Sequence, residues 1–181
     1  MRGKARPSAL RVFKDLVKTV ELTPADEAKL RKETRTRETE KLREKLRDTG
    51  ILEVTTSEDH ERLLSGDFFP TESFRAATRW FEQARVGGSN VLLLLGKEGR
   101  GKTLAAGSVL VRNEGRGRYR TINRLCRWFQ SRVKEHTDQF DLSLSTELLI
   151  LDDLGTELDR DIARVVLQEV VNARQDRRML T

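Results

Sequence analysis

Val91-Leu92-Leu93-Leu94-Leu95-Gly96-Lys97-Glu98-Gly99-Arg100-Gly101-Lys102-Thr103 is the stretch that decides how this chain reads. Five apolar residues run into a glycine-rich loop. From Gly96 to Thr103 the loop fits G-x-x-x-x-G-K-[S/T] at every fixed position. Glycines let the backbone curl so that successive N–H groups point inward at an anion. The helix that follows adds a partial positive charge at its start. Gly96, Lys97, Glu98, Gly99, Arg100, Gly101, Lys102, Thr103 and Leu104 therefore form a candidate cradle for the phosphates of ATP. Lys102 supplies a full charge to the β- and γ-phosphates, and the Thr103 hydroxyl is a ligand for Mg²⁺. The competing explanation is a glycine turn with an incidental lysine. The apolar run before the loop and Leu104-Ala105-Ala106 after it, which open a helix, speak against that.

Working outward, Val91–Leu95 has the continuous apolar character of a strand buried on both faces of a parallel sheet. Upstream, Thr71 or Ser73 starts a helix carrying Phe74, Ala77, Trp80 and Phe81, and Gly87-Gly88-Ser89-Asn90 ends it. Downstream, the pattern predicts a helix from Lys102 to about Arg112 and a strand over Arg118–Ile122. A helix over Arg124–Lys134 follows, capped by Asn123, then a buried strand at Leu148–Leu151. A last helix spans Asp159–Gln175 with Ile162, Val165, Val166, Val170 and Ala173 inward. Strands alternating with helices imply a parallel, three-layer α/β fold over residues 67–181.

Leu148-Leu149-Ile150-Leu151 ends in Asp152-Asp153. A strand that buries its body and exposes its tip delivers acids to the crevice where α/β folds bind ligands. Asp152 is the candidate Mg²⁺ carboxylate, and Asp153 the candidate that orients and deprotonates the attacking water. The alternative for both is a loop acid capping the turn before Gly155.

Residues 1–66 read differently, as a basic helical N-terminal extension. Ala9, Leu10, Val12, Phe13, Leu16, Val17 and Val20 fall at helical spacing, on a segment whose basic, amphipathic look a transit peptide shares. Thr23-Pro24-Ala25-Asp26 reads as a helix start and Gly50 as its stop. Arg31–Lys41 contains no large apolar residue, and the pairs Glu33 with Arg37 and Glu44 with Arg47 suit an exposed connector helix.

The 181 residues are 35% charged and 36% hydrophobic, with a net charge of +6, which suits a phosphate-rich partner. One cysteine, Cys126, excludes an intrachain disulfide and a cysteine zinc site and points to a reducing, cytoplasmic setting. No apolar run is long enough to span a membrane. His60 and His136 have no metal or catalytic company in the sequence.

Leu148-Leu149-Ile150-Leu151-Asp152-Asp153-Leu154-Gly155-Thr156-Glu157 resembles the Walker B segment of the DnaC/IstB-like ATPases, a branch of the AAA+ superfamily. Phe74–Trp80, leading to the Gly96 loop, resembles the helix before their Walker A motif. The resemblance covers residues 67–181 and not the N-terminal third. It implies Mg²⁺-dependent ATP binding and slow hydrolysis, and ATP-dependent homo-oligomers. It also implies contact with DNA, a replicative helicase or a transposase. Lys102 and Thr103 match Walker A, and Asp152 and Asp153 match Walker B. Asp153 stands where many members of the wider superfamily carry glutamate. The sequence ends at Met179-Leu180-Thr181, where the family's next strand begins. That strand lies between the Walker A and Walker B strands, and the sensor and arginine-finger elements come after it. The expectation is thus an incomplete ATPase whose two motif strands leave unpaired edges.

Arg112, Arg116, Arg118, Arg120, Arg124, Arg127, Arg132 and Lys134 cluster, with Tyr119, Trp128 and Phe129 interleaved. Such a mixture suits single-stranded DNA, with aromatics under bases; equally, the aromatics face the core and the arginines are solvated. Three functions compete: a DnaC/IstB-like ATPase of DNA replication or transposition, a non-catalytic nucleotide-binding module, and a small-molecule kinase. The Asp-Asp-Leu-Gly setting and the lack of a later arginine-rich lid weigh against the kinase.

Overall fold

The computed structural model describes residues 23–68, 70–156, 159–175 and 177–181. The amphipathic segment Ala9–Val20 and Glu157 lie outside them. The chain divides into two compact units, Met1–Glu38 and Thr39–Thr181.

The described residues of the first unit belong to the start of helix α1 (Pro24–Thr49). Thr23 caps it reciprocally with Asp26: the Asp26 N–H donates to Thr23 Oγ1 at 3.2 Å and the Thr23 N–H to Asp26 Oδ2 at 3.2 Å. Residues 24–38 are exposed, as their composition predicts. An intrahelical ion pair joins Arg31 to Glu27 there, and among the described residues Glu33 and Arg37 are not seen as a pair.

In the second unit α1 ends at Thr49, and Gly50 takes φ 90°. Helix α2 (Ser57–Ser65) follows, closed at its start by a capping box of Thr56 and Asp59. Helix α3 (Glu72–Ala84) is capped by Thr71, whose hydroxyl accepts from the Phe74 N–H. Helix α4 (Lys102–Arg112) starts at the glycine loop. Strand β1 (Arg118–Thr121) leads directly into α5 (Ile122–Gln130). Its cap is Thr121 rather than Asn123. The chain then breaks at Ser131–Val133, so the helix expected to reach Lys134 ends early and α6 (Lys134–Ser145) begins there. Strand β2 (Leu149–Asp152) and helix α7 (Arg160–Gln175) complete the order.

β1 and β2 pair in parallel, with Arg118 opposite Leu149 and Thr121 opposite Asp152. The alternation of β2 splits the apolar residues into two clusters. Leu148 and Ile150 pack with Leu46, Leu63, Trp80, Phe81, Val109 and Leu110. Leu149 and Leu151 pack with Ile122, Leu125, Phe140, Val166 and Val170. On α7 the inward residues are Ala163, Val166 and Val170, while Val165 is exposed.

The expected three-layer parallel α/β sheet is not what forms. Among the described residues the unit is mostly helical, and its sheet has two strands. The difference lies at Val91–Leu95. This run is not a ladder strand: Leu92 and Leu94 pack on the first cluster, but Val91, Leu93 and Leu95 are 52%, 62% and 80% exposed. A strand buried on both faces needs a covering layer on each side and partners along its edges. The run has Thr181 beside it, with the Thr181 N–H donating to Asn90 O and the Leu92 N–H to Thr181 O. Leu180 similarly exchanges hydrogen bonds with Glu147 and Leu149. These two residues bridge the Asn90–Leu92 and Glu147–Leu149 segments without making them a continuous sheet.

The candidate phosphate and metal site

The glycine loop is exposed. Gly96, Gly99 and Gly101 have φ of 145°, 73° and 74°. A Cβ at any of them would meet nothing within 4 Å, so glycine is needed there for its conformation and not to make room. Gly101 caps α4, whose first N–H groups have no acceptor within the helix. An open loop with three positive-φ glycines before a helix start is a fitting host for an anion.

Lys102 opens the helix. Its Nζ donates to the carbonyls of Gly96 and Lys97, both at 2.9 Å. The ammonium is thereby tethered across the loop it follows. Arg100 and Glu98 are exposed, and Leu104 is half-buried against the first apolar cluster.

Thr103 sits one position later, and here the two motifs meet. Its Oγ1 donates to Asp152 Oδ2 at 2.6 Å. Asp152 ends β2, as the apolar run before it predicts. The same Oδ2 accepts from the Tyr119 hydroxyl at 2.5 Å, and Oδ1 accepts from the Asp153 N–H at 2.9 Å. Burial pushes the Asp152 carboxyl up. The bonds from Thr103, Tyr119 and the Asp153 N–H, with the charge of Lys102, outweigh that and hold it below the usual value. Tyr119 is shifted the opposite way: burial and then the Asp152 carboxylate push its hydroxyl up, so it stays a neutral donor.

Asp153 does not share this contact. It is exposed and adopts φ 61°, a left-handed conformation that aspartate tolerates better than most residues. Its carbonyl accepts from the Thr156 hydroxyl at 2.7 Å and so closes the Asp153–Thr156 turn that contains Gly155. Asn123 supports that turn from α5 by donating to the Thr156 carbonyl at 3.3 Å. Burial, then the charges of Asp152 and Glu98, push the Asp153 carboxyl up. A free carboxylate beside a paired one, with a higher affinity for a proton, is the better base of the two.

Tyr119 was not legible as a partner of Asp152, because the sequence sets it among basic residues as either a stacking or a core-facing aromatic. Strand alternation is the signal that could have found it. Tyr119 and Arg120 point to opposite faces of β1, and the face of Tyr119 is the one shared with Thr103. Tyr119 and Cys126 are buried, Trp128 is half-buried, and Phe129 packs on Phe140 with ring centroids 5.5 Å apart.

The residues present fit Mg²⁺. A hydroxyl and an ionised carboxylate converge within 2.6 Å of one another, both hard oxygen donors of the kind the ion prefers. No helix among the described residues is long and apolar enough to cross a membrane. No family model, curated protein or solved structure matches the chain.

Proposed function

We propose that the chain binds Mg-ATP at the Gly96–Thr103 loop and is a DnaC/IstB-like ATPase working in DNA replication or transposition. The observation that carries the nucleotide part is the Thr103–Asp152 contact at 2.6 Å. The acidic pair gains its weight from lying downstream of the glycine loop, and this contact between the two proposed Mg²⁺ ligands supports the reading.

In this mechanism the loop N–H groups and the start of α4 receive the phosphates. Lys102 exchanges its loop carbonyls for β- and γ-phosphate oxygens and neutralises charge there. Thr103 and Asp152 would hold Mg²⁺, which would supply charge neutralisation when bound. Tyr119 fixes the Asp152 carboxylate through Oδ2. Asp153, less acidic and exposed, orients the attacking water and takes its proton. The helicase, transposase and single-stranded DNA contacts and the ATP-dependent homo-oligomer belong to the proposal through the motif resemblance.

ATP binding measured with and without Mg²⁺, in wild type and in Asp152→Asn, tests it. The expected outcome is a Mg²⁺-dependent gain in affinity that the substitution removes. Equal Mg²⁺ dependence in both proteins would contradict the assignment of Asp152.

A further inference from the structure

β1 separates two environments. Tyr119 faces Asp152; Arg120, its neighbour, lines a cavity of about 400 Å³ on which Arg124, Arg127, Trp128 and His136 also converge. Arg120 is only 5% exposed. Its Nη1 donates to the carbonyls of Thr49 at 2.9 Å and Tyr119 at 2.8 Å, and its Nη2 makes a long contact of 3.4 Å with Gln139. Its Nε has no hydrogen-bond partner among the described residues. The hydrogen bonds of Arg120 thus go to neutral acceptors.

The surroundings concentrate positive charge further. The guanidinium carbons of Arg120 and Arg124 lie 5.1 and 5.2 Å from the Trp128 ring. Burial, then the charges of Arg118 and Arg124, lower the Arg120 pKa to about 10. Glu53 is the acid at this edge, and it is engaged by Arg124 Nη1 at 2.5 Å. His136 Nδ1 lies 2.8 Å from Ser131 Oγ. Arg120 is the buried guanidinium here, with Arg124 half-buried and Arg127 exposed at the rim; holding a buried cation beside two more costs free energy, and a bound anion offsets that cost.

We propose that this cavity is a second phosphate-binding site, separate from the glycine loop, in which Arg120, Arg124 and Arg127 grip one phosphate group. Planar guanidinium forks match phosphate oxygens in pairs. Recognition is of the phosphate and not of a base, because the Trp128 ring is already stacked on two guanidinium groups and the Tyr119 hydroxyl is committed to Asp152. The phosphate comes from a small phosphorylated molecule or from the backbone of a nucleic-acid strand. The inference does not depend on ATP binding at the loop.

The test uses the full chain carrying Lys102→Ala, so that phosphate binding at the loop is weakened beforehand. Inorganic phosphate and a short single-stranded thymidine oligonucleotide are each titrated at low salt by calorimetry. The expected result is saturable binding that Arg127→Glu weakens by about tenfold, since a charge-assisted pair is replaced by repulsion. Arg127 is exposed at the rim, so that substitution spares the fold. Binding of both probes supports a site open to free phosphate. Binding of the oligonucleotide alone supports the site with a strand as its source. No saturable binding of either probe, or binding unchanged by Arg127→Glu, overturns the proposal. The ATP affinity of Lys102→Ala is a separate measurement, so failure of the loop assignment is distinguishable from failure here.

Discussion

Thr103 Oγ1 donates to Asp152 Oδ2 at 2.6 Å, joining the first turn of α4 to the tip of β2 across 49 positions of sequence. The contact makes a prediction about Mg²⁺. Thr103→Val keeps the shape and removes the oxygen. The Mg²⁺-dependent part of ATP affinity should fall about 10- to 100-fold, the range seen when groups of a metal site are removed. Thr103→Ser should retain most of it. Isothermal titration at fixed ATP with varied Mg²⁺ measures both.

Tyr119→Phe isolates the second donor to the same oxygen. A hydrogen bond to a charged group contributes about 1.5–3 kcal/mol, so the variant should lose stability of that order at neutral pH. The pH dependence has a definite sign. The Asp152 carboxyl is held below its ordinary value of 3.8. The stability linked to its ionised form is present above that value and lost as pH falls through the folded-state value. The gap between wild type and Tyr119→Phe in urea unfolding should therefore shrink in strong acid. A gap that widened on acidification would contradict the assignment.

The loop, the α4 boundaries and the meeting of Lys102, Thr103 and Asp152 at one end of β2 were legible, because each rests on local chemistry: glycine conformation, helix start and strand tip. Val91–Leu95 misled for a physical reason. Five apolar residues report that the run can be buried, not that partners exist to bury it; Leu92 and Leu94 found a core, and Leu93 and Leu95 did not. Arg174 was invisible as a core residue, since arginine on a helix ordinarily reads as solvated. Tyr119 faces the core, one of its two readings, but its bond to Asp152 was out of reach because that partner is 33 residues away and known only once the register is set.

Arg174 gives a stability prediction. It is 1% exposed, and its guanidinium donates to the carbonyls of Ser143, Leu144, Thr146 and Leu180, while Nε donates to Thr181 Oγ1 at 2.8 Å. Removing it leaves one buried and several part-buried acceptors unpaired, and a fully buried one costs about 1–3 kcal/mol. Arg174→Ala should destabilise by more than about 3 kcal/mol in chemical denaturation. Arg174→Lys should rescue little, because one ammonium cannot replace a planar fork.

Gly117 sets up β1 by close packing. A Cβ there would lie 2.6 Å from Leu110 Cδ2 and 2.8 Å from the Leu148 carbonyl oxygen. The Arg118 N–H donates to that same carbonyl at 2.8 Å. Gly117→Ala should therefore cost about 1–3 kcal/mol through overpacking. The loss of melting temperature should be accompanied by weaker hydrogen-exchange protection at Arg118.

The proposed phosphate cradle at Gly96–Thr103 rests on Lys102 as its cation. Equilibrium ATP titration of wild type against Lys102→Ala decides that assignment. The predicted result is saturable binding in wild type that Lys102→Ala abolishes while the circular-dichroism spectrum is unchanged. Equal ATP affinity in the two proteins would contradict it.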